Sequence, residues 1–263
     1  MKKIIFVIDS LHCAGAEKSL ITLLSLLDYS KYEVDLQLFG YGGALEKLLP
    51  KEVNLLKPLK YTSFCELSIK SAFKYSIKRF NTKMISARLK FTVSIRKAKY
   101  SNVQKARIFW QKVSSVIEDN EKKYDIAISY AQGVPTFYVA DKIKARKKYA
   151  WVNTSYRLEE EEIKFVKKYY DEYQEIIAVS HSAKDIFLKS FPEYFNKVNI
   201  IYDINDYNFI NKMSLLECDK VNEEIDDNGY IKILTIGRLA YGKRYDRAIE
   251  ASKILKNKGI KFK

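Results

Sequence analysis

Histidine, cysteine, proline and glycine are all scarce in this chain, and acid is nearly missing from one long stretch. Only His12 and His181 occur among the 263 residues, too few for a histidine-built metal centre, so no metal is expected. The three cysteines, Cys13, Cys65 and Cys218, are odd in number and widely scattered. That excludes a disulfide framework and the paired spacing of a zinc site, and it is cytosolic usage. Four prolines and nine glycines leave little room for disorder. No apolar run approaches the about 20 residues a membrane span requires. The opening apolar run Ile4–Ile8 is broken by Asp9 and is too short for a signal peptide. A cytoplasmic protein is expected.

Apolar residues make up 47% of the chain, enough for a sizeable core, and the net charge is +15. Such an excess calls for an acidic partner: nucleic acid, anionic lipid or a phosphorylated substrate. The charge is unevenly placed. Between Glu66 and Lys112 stand thirteen Lys/Arg and one acid, Glu66 itself, whereas Glu217–Gly229 carries six acids and one lysine. The acidic stretch, 215–229, reads as a linker.

Apolar, β-rich runs alternate with helical patterns from the first residue onward. Strands are expected at 3–9, 33–40, 53–59, 124–130, 148–153, 175–180 and 199–203. Several are continuous apolar runs, as parallel strands covered on both faces should be. Helical spacing appears at 16–27, 133–143, 159–173 and 182–191. The alternation predicts a doubly wound α/β domain over 1–214. After the linker a second βα unit begins at 230–263: strand 231–237, loop "RLAYGK", a helix over 244–256, then "IKFK" as a strand. An α/β domain of ordinary size needs about 100 residues or more, so this second domain is expected to be incomplete.

Two loops carry candidate chemistry. In "DSLHCAGAEKSL" (Asp9–Leu20), Gly15 lets the backbone approach a ligand, and the following helix start offers free amides to an anion. The same residues suit an ordinary tight βα turn, and Glu17 in the first turn suits a helix dipole. In the C-terminal loop, Arg238 and Lys243 flank Gly242 at a helix start. A guanidinium and an ammonium there fit a pyrophosphate; a solvated basic turn is the plainer alternative.

Taken in order, "AGAEKSL", "SYAQGVPT", "AWVNTSY", "IIAVSHSAKD", "IIYDIND" and "TIGRLAYGKRYDRAIEA" resemble the retaining glycosyltransferases of family 4, bacterial GT-B enzymes that extend surface polysaccharides. The resemblance runs over nearly the whole chain, and "GRL" with its following lysine and helix is its most specific part. It implies two Rossmann-like domains facing across a cleft, acceptor mainly on the first and nucleotide-sugar mainly on the second. By position, Gly15 matches the loop that approaches the donor phosphate. Arg238 and Lys243 match the basic pair that neutralises the diphosphate leaving group. No metal and no cofactor beyond the nucleotide-sugar substrate are implied.

The chain departs from that pattern in places. Ala14 and Arg244 stand where the family has glycines, and Asn153 stands where it has a histidine. Asn153 can hydrogen-bond a sugar hydroxyl but cannot carry a proton as histidine does; a strand-end cap is its other reading. His181, at the end of the next strand, opens toward the cleft or simply sits in a helix start flanked by Ser180 and Ser182. The family's paired glutamates eight positions apart are missing, so the chain as written is expected to be inactive in sugar transfer.

The basic segment 69–112 mixes cations with aromatic and aliphatic residues. Helical spacing would place Phe73, Ile77, Phe80 and Met84 on one stripe, facing either the core or an anionic membrane. Lipid attraction contributes about 1 kcal/mol per Lys/Arg near an anionic leaflet. The expectation is an enzyme peripheral to the inner membrane face, with a nucleotide-sugar and a lipid-linked saccharide acceptor as partners. A catalytically dead acceptor- or membrane-binding remnant is the second reading. A basic α/β nucleic-acid binder is the third, and no recognition motif supports it.

Overall fold

The computed structural model describes residues 1–78, 82–154, 158–215, 230–237, 239 and 241–263. Cys218, Arg238 and the linker beyond Leu215 lie outside the described residues. The chain divides into two compact units, Met1–Tyr207 and Asn208–Lys263.

Unit 1 is built on a seven-stranded sheet in the order β3-β2-β1-β4-β5-β6-β7, every neighbouring pair parallel. The strands are β1 Lys2–Ile8, β2 Tyr32–Leu38, β3 Val53–Leu55, β4 Asn120–Ser129, β5 Ile143–Val152, β6 Glu175–Ala178 and β7 Val198–Ile200. All seven expected strands are present. β4 and β5 start earlier than their apolar runs, through charged residues that pair along the sheet edge but do not enter the core.

The apolar alternation of β1 sorts the two faces. Ile4, Phe6 and Ile8 pack with Leu20, Ile21 and Leu24 of helix α1 (Gly15–Ser25). Ile5 and Val7 join the larger core, with Trp110 of α5 (Asn102–Val113), Phe137 of α6 (Val134–Lys142), Tyr169 of α7 (Glu160–Tyr170) and Phe187 of α8 (His181–Ser190). Helices on both faces and a strand order that reverses between β1 and β4 make a doubly wound, Rossmann-like α/β domain. A ligand crevice belongs at that reversal, beyond the carboxyl ends of β1 and β4.

The connection from β3 to β4 holds four helices: α2 Lys60–Glu66, α3 Ile69–Lys78, α4 Thr82–Arg96 and α5. The single stripe expected through Phe73 and Met84 is therefore divided between two helices. Phe73 on α3 is 44% exposed while Met84 on α4 is 5% exposed, so they do not share an environment. Phe80 and the side chain of Ile77 lie outside the described residues. Outward on α4 are instead Leu89 and Val93, one turn apart, among the exposed cations Lys83, Lys90, Arg96 and Lys97.

Unit 2 is a βα unit. Ile231 and Phe262 form a parallel bridge, extended by Ile233 N–H donating to Lys263 C=O at 2.8 Å, with α10 (Tyr245–Asn257) between them. Apart from this bridge no ladder forms in the expected strand 231–237 among its described residues.

Candidate functional site

Gly15, Asn153 and His181 all stand beyond the carboxyl ends of parallel strands in unit 1. Gly15 opens α1 with nothing within 4 Å of where a Cβ would lie, and Ala14, the residue before it, supplies no side-chain cap. No side-chain oxygen caps the first amides of the helix, which leaves them available to an anion. The loop is fixed from the other side by Gly43. A Cβ there would collide with the Leu11 carbonyl, so only glycine permits the approach that lets Leu45 N–H donate to Leu11 C=O at 3.0 Å.

Tyr130, just past β4, ties the neighbours together. Its buried hydroxyl shares a 2.9 Å hydrogen bond with Ser19 of α1, and its ring stacks on Trp151 with centroids 5.0 Å apart. Burial pushes its phenol up to about 12, the Ser19 bond opposing and the Asp203 charge adding. The Tyr130 carbonyl accepts from Asn153 Nδ2 at 2.5 Å. Asn153 therefore does act as a strand-end tie between β5 and β4. Its Oδ1 is buried without a hydrogen-bond partner, an acceptor left over for a ligand hydroxyl.

His181 is the first residue of α8, where Ser180 caps by accepting from Ala183 N–H at 3.1 Å. The imidazole is exposed and lies 6.3 Å, centroid to centroid, from the Tyr202 ring. The helix-cap role belongs to Ser180, and His181 remains exposed on the carboxyl edge of the sheet.

Asp9 is a site residue that the sequence reading missed. It follows Val7 by two positions, so it lies on the face of α2, α5 and α6. By surface area Asp9 is exposed, yet the protein packed around it pushes its carboxyl up to about 7, with the Glu17 charge adding. Asp35, in the middle of β2, shows the contrast. Burial would raise its pKa, yet hydrogen bonds from Lys122, Tyr124 and Asn54 hold it below the usual carboxylate range. Among the described residues no cation does that for Asp9. The available signal was an acid ending an apolar strand with no basic residue near it.

A raised pKa means the native state holds this proton more tightly than the unfolded chain, so stability falls as pH rises from about 4 to about 7. Asp9→Asn cannot ionise and lacks that loss. Its melting temperature relative to wild type should climb across this window and level off above it. A difference that is the same at pH 4 and pH 8 would show that Asp9 titrates as an ordinary carboxylate.

Within unit 2, Lys243 is exposed in a short 3-10 turn (Tyr241–Lys243) before α10. A Cβ on Gly237 would meet Tyr245 Oη at 2.7 Å and Lys243 Cδ at 3.8 Å, so the strand end and the helix start approach closely here. Arg244 has φ +53°, the one left-handed non-glycine among the described residues. Glycine would adopt this conformation freely, as the family pattern has it. The Arg244 guanidinium covers the Tyr241 ring at 4.6 Å and pairs with Asp246 at 3.5 Å, contacts that offset the backbone strain. Arg238 lies outside the described residues.

Among the described residues no cluster of His, Cys, Asp or Glu is arranged to hold a metal, and no helix is long and apolar enough to cross a membrane. No family model and no curated protein matches the chain. Among solved structures, it is similar to Anabaena Alr3699/HepE in complex with UDP and glucose, at 16% identity and a TM-score of 0.45 over 79% of this chain. It is also similar to a glycosyltransferase from Rickettsia africae ESF-5, at 16% identity and a TM-score of 0.43 over 82% of this chain. The alignments cover 46% of each of those chains, so this chain spans less than half their length.

Proposed function

We propose that this chain is the acceptor-side domain of a GT-B glycosyltransferase, with Asn208–Lys263 contributing the first βα unit of its nucleotide-sugar domain. The observation that carries the reading is the uncapped α1 start at Gly15, open to solvent at the strand-order reversal of a parallel sheet, within the order of motifs that resembles family 4. In the complete enzyme the α1 amides approach the donor diphosphate. Asn153 Oδ1 accepts from a sugar hydroxyl, and His181 stands exposed on the same carboxyl edge of the sheet. Arg238 and Lys243 stabilise the charge that grows on the diphosphate as the sugar–phosphate bond breaks.

The reaction assigned is transfer of a sugar from a nucleotide-sugar to a lipid-linked or growing polysaccharide acceptor, with retention. It is tested by incubating the complete protein with a panel of nucleotide-sugars and lipid-linked saccharides. Release of nucleoside diphosphate should be seen, with the anomeric configuration of the product read by NMR. A protein that neither binds nor consumes any nucleotide-sugar is not this enzyme; an inverted product removes the retaining assignment alone.

Docking at the inner membrane face through 69–112 belongs to the same proposal, and the outer face of α4 supports it. Leu89 and Val93 are exposed there amid four cations, in a segment whose sequence has no acid. Basic residues around an apolar centre suit an anionic interface. Binding to phosphatidylglycerol vesicles should weaken as salt rises. The double change Leu89→Ser/Val93→Ser should weaken it at every salt concentration with the melting temperature unchanged. Equal affinity for neutral and anionic vesicles would remove the membrane assignment.

A further inference from the structure

One recess on the carboxyl edge of the sheet is not used by the donor-side residues. It lies on the face opposite α1, between the ends of β1 and β2 and helices α2, α5 and α6. Its lining includes Asp9, Phe39, Tyr61, Cys65, Glu66 and Phe109. Tyr61 is buried and, with Cys65, closes one wall. Phe109 is held edge-on to Phe91 at 5.2 Å and leans on Tyr61 at 6.2 Å, so the aromatic wall is fixed before any ligand arrives. Arg88 donates to the Phe64 and Leu67 carbonyls at 3.2 and 2.9 Å, and its charge reaches Tyr61 and Cys65 from behind the wall. Among the described residues no lysine or arginine lines the recess itself.

In a chain of net charge +15, a recess lined by two acids, Asp9 and Glu66, and by no cation among the described residues disfavours anions. Aromatic walls offer apolar area to the C–H face of a sugar ring, and carboxylate oxygens accept from its hydroxyls. Such a combination, a concave apolar surface with a few convergent polar groups, is what orients a small polar ligand. We infer that this recess seats one uncharged sugar ring, with Phe39 and Phe109 packing on the ring and Asp9 and Glu66 accepting from its hydroxyls. On the glycosyltransferase reading, on which the assignment to the acceptor rests, the ring is the acceptor's terminal unit. The recess and the Gly15 loop then stand on opposite faces of the same sheet edge, acceptor on one side and donor phosphate on the other.

The test is saturation-transfer NMR on the 263-residue chain with glucose, galactose, glucosamine and glucuronate as probes. Transfer is expected to a neutral hexose and not to glucuronate. Glu66→Gln, an exposed change that should leave the melting temperature unmoved, should reduce it severalfold, and Phe109→Leu should reduce it as well. No transfer to any neutral hexose, or transfer untouched by both variants, overturns the site. Stronger transfer to glucosamine or glucuronate overturns the uncharged ligand. A chain that binds hexose in this manner, while the complete protein ignores every nucleotide-sugar, keeps the recess and sinks the glycosyltransferase reading instead.

Discussion

Arg107→Met is expected to lower the unfolding free energy by about 3–5 kcal/mol, the range for leaving one partner of a buried ion pair uncompensated. Arg107 lies on α5 with its side chain 9% exposed, and its Nε donates to Glu162 Oε1 on α7 at 3.0 Å. The Glu162 side chain is only 3% exposed, so it has no route to water once the guanidinium is gone. The second contact, to Glu161, matters less, because that side chain is 71% exposed and water replaces the lost bonds. Adding Glu162→Leu to Arg107→Met should therefore recover most of the loss, since a packed apolar pair is often as stable as the ion pair it replaces. Urea denaturation with an unchanged m-value is the measurement. A loss under about 1 kcal/mol for the single variant, or no recovery in the double, would contradict the buried-charge account. The pair clamps α5, which carries Phe109 two residues further on, to the helix that follows Asn153 and β5.

The larger expected effect on activity lies in the C-terminal loop. On the glycosyltransferase reading, Arg238→Ala and Lys243→Ala should each lower kcat/KM a hundredfold or more, corresponding to about 2.7–4 kcal/mol for removing one donor to developing charge. Lys243→Arg keeps the charge but not the compact ammonium, so it should fall between wild type and alanine. Lys243 is exposed on the turn beside Gly237, so its removal should leave folding unaffected and act on the reaction alone. Near-wild-type rates in both alanine variants would mean that the diphosphate is held elsewhere.

Much of the framework was legible because parallel strands buried on both faces are continuous apolar runs. Runs such as "IIFVI" and "EIIA" announce themselves, and the helices after β1, β4, β5 and β6 showed their apolar spacing. The connection from β3 to β4 was less legible. Cations interrupt its apolar pattern, so two helices with different environments read as one stripe from Phe73 to Met84. Arg244 was read only as a departure from the glycine of the resembling family, and its left-handed backbone was not foreseen. The internal geometry of the site was not legible. Ser19 and Tyr130 meet across 111 residues of sequence, and no local pattern marks either one. Asp9 was similarly hidden, because an acid at a strand end is ordinary until packing shows that no cation answers it.

The stretch Ile231–Gly237 has a consequence for handling the protein. Ile231, Ile233, Leu234 and Ile236 are all exposed, with one lysine and no proline among them. Short β-prone segments of low charge are the usual seeds of strand-to-strand association between chains. What opposes such association here is the mutual repulsion of molecules carrying +15. Salt screens that repulsion over about 10 Å at 0.1 M and leaves the hydrophobic attraction intact. Raising ionic strength, the common remedy for a sticky basic protein, should therefore promote self-association of this chain.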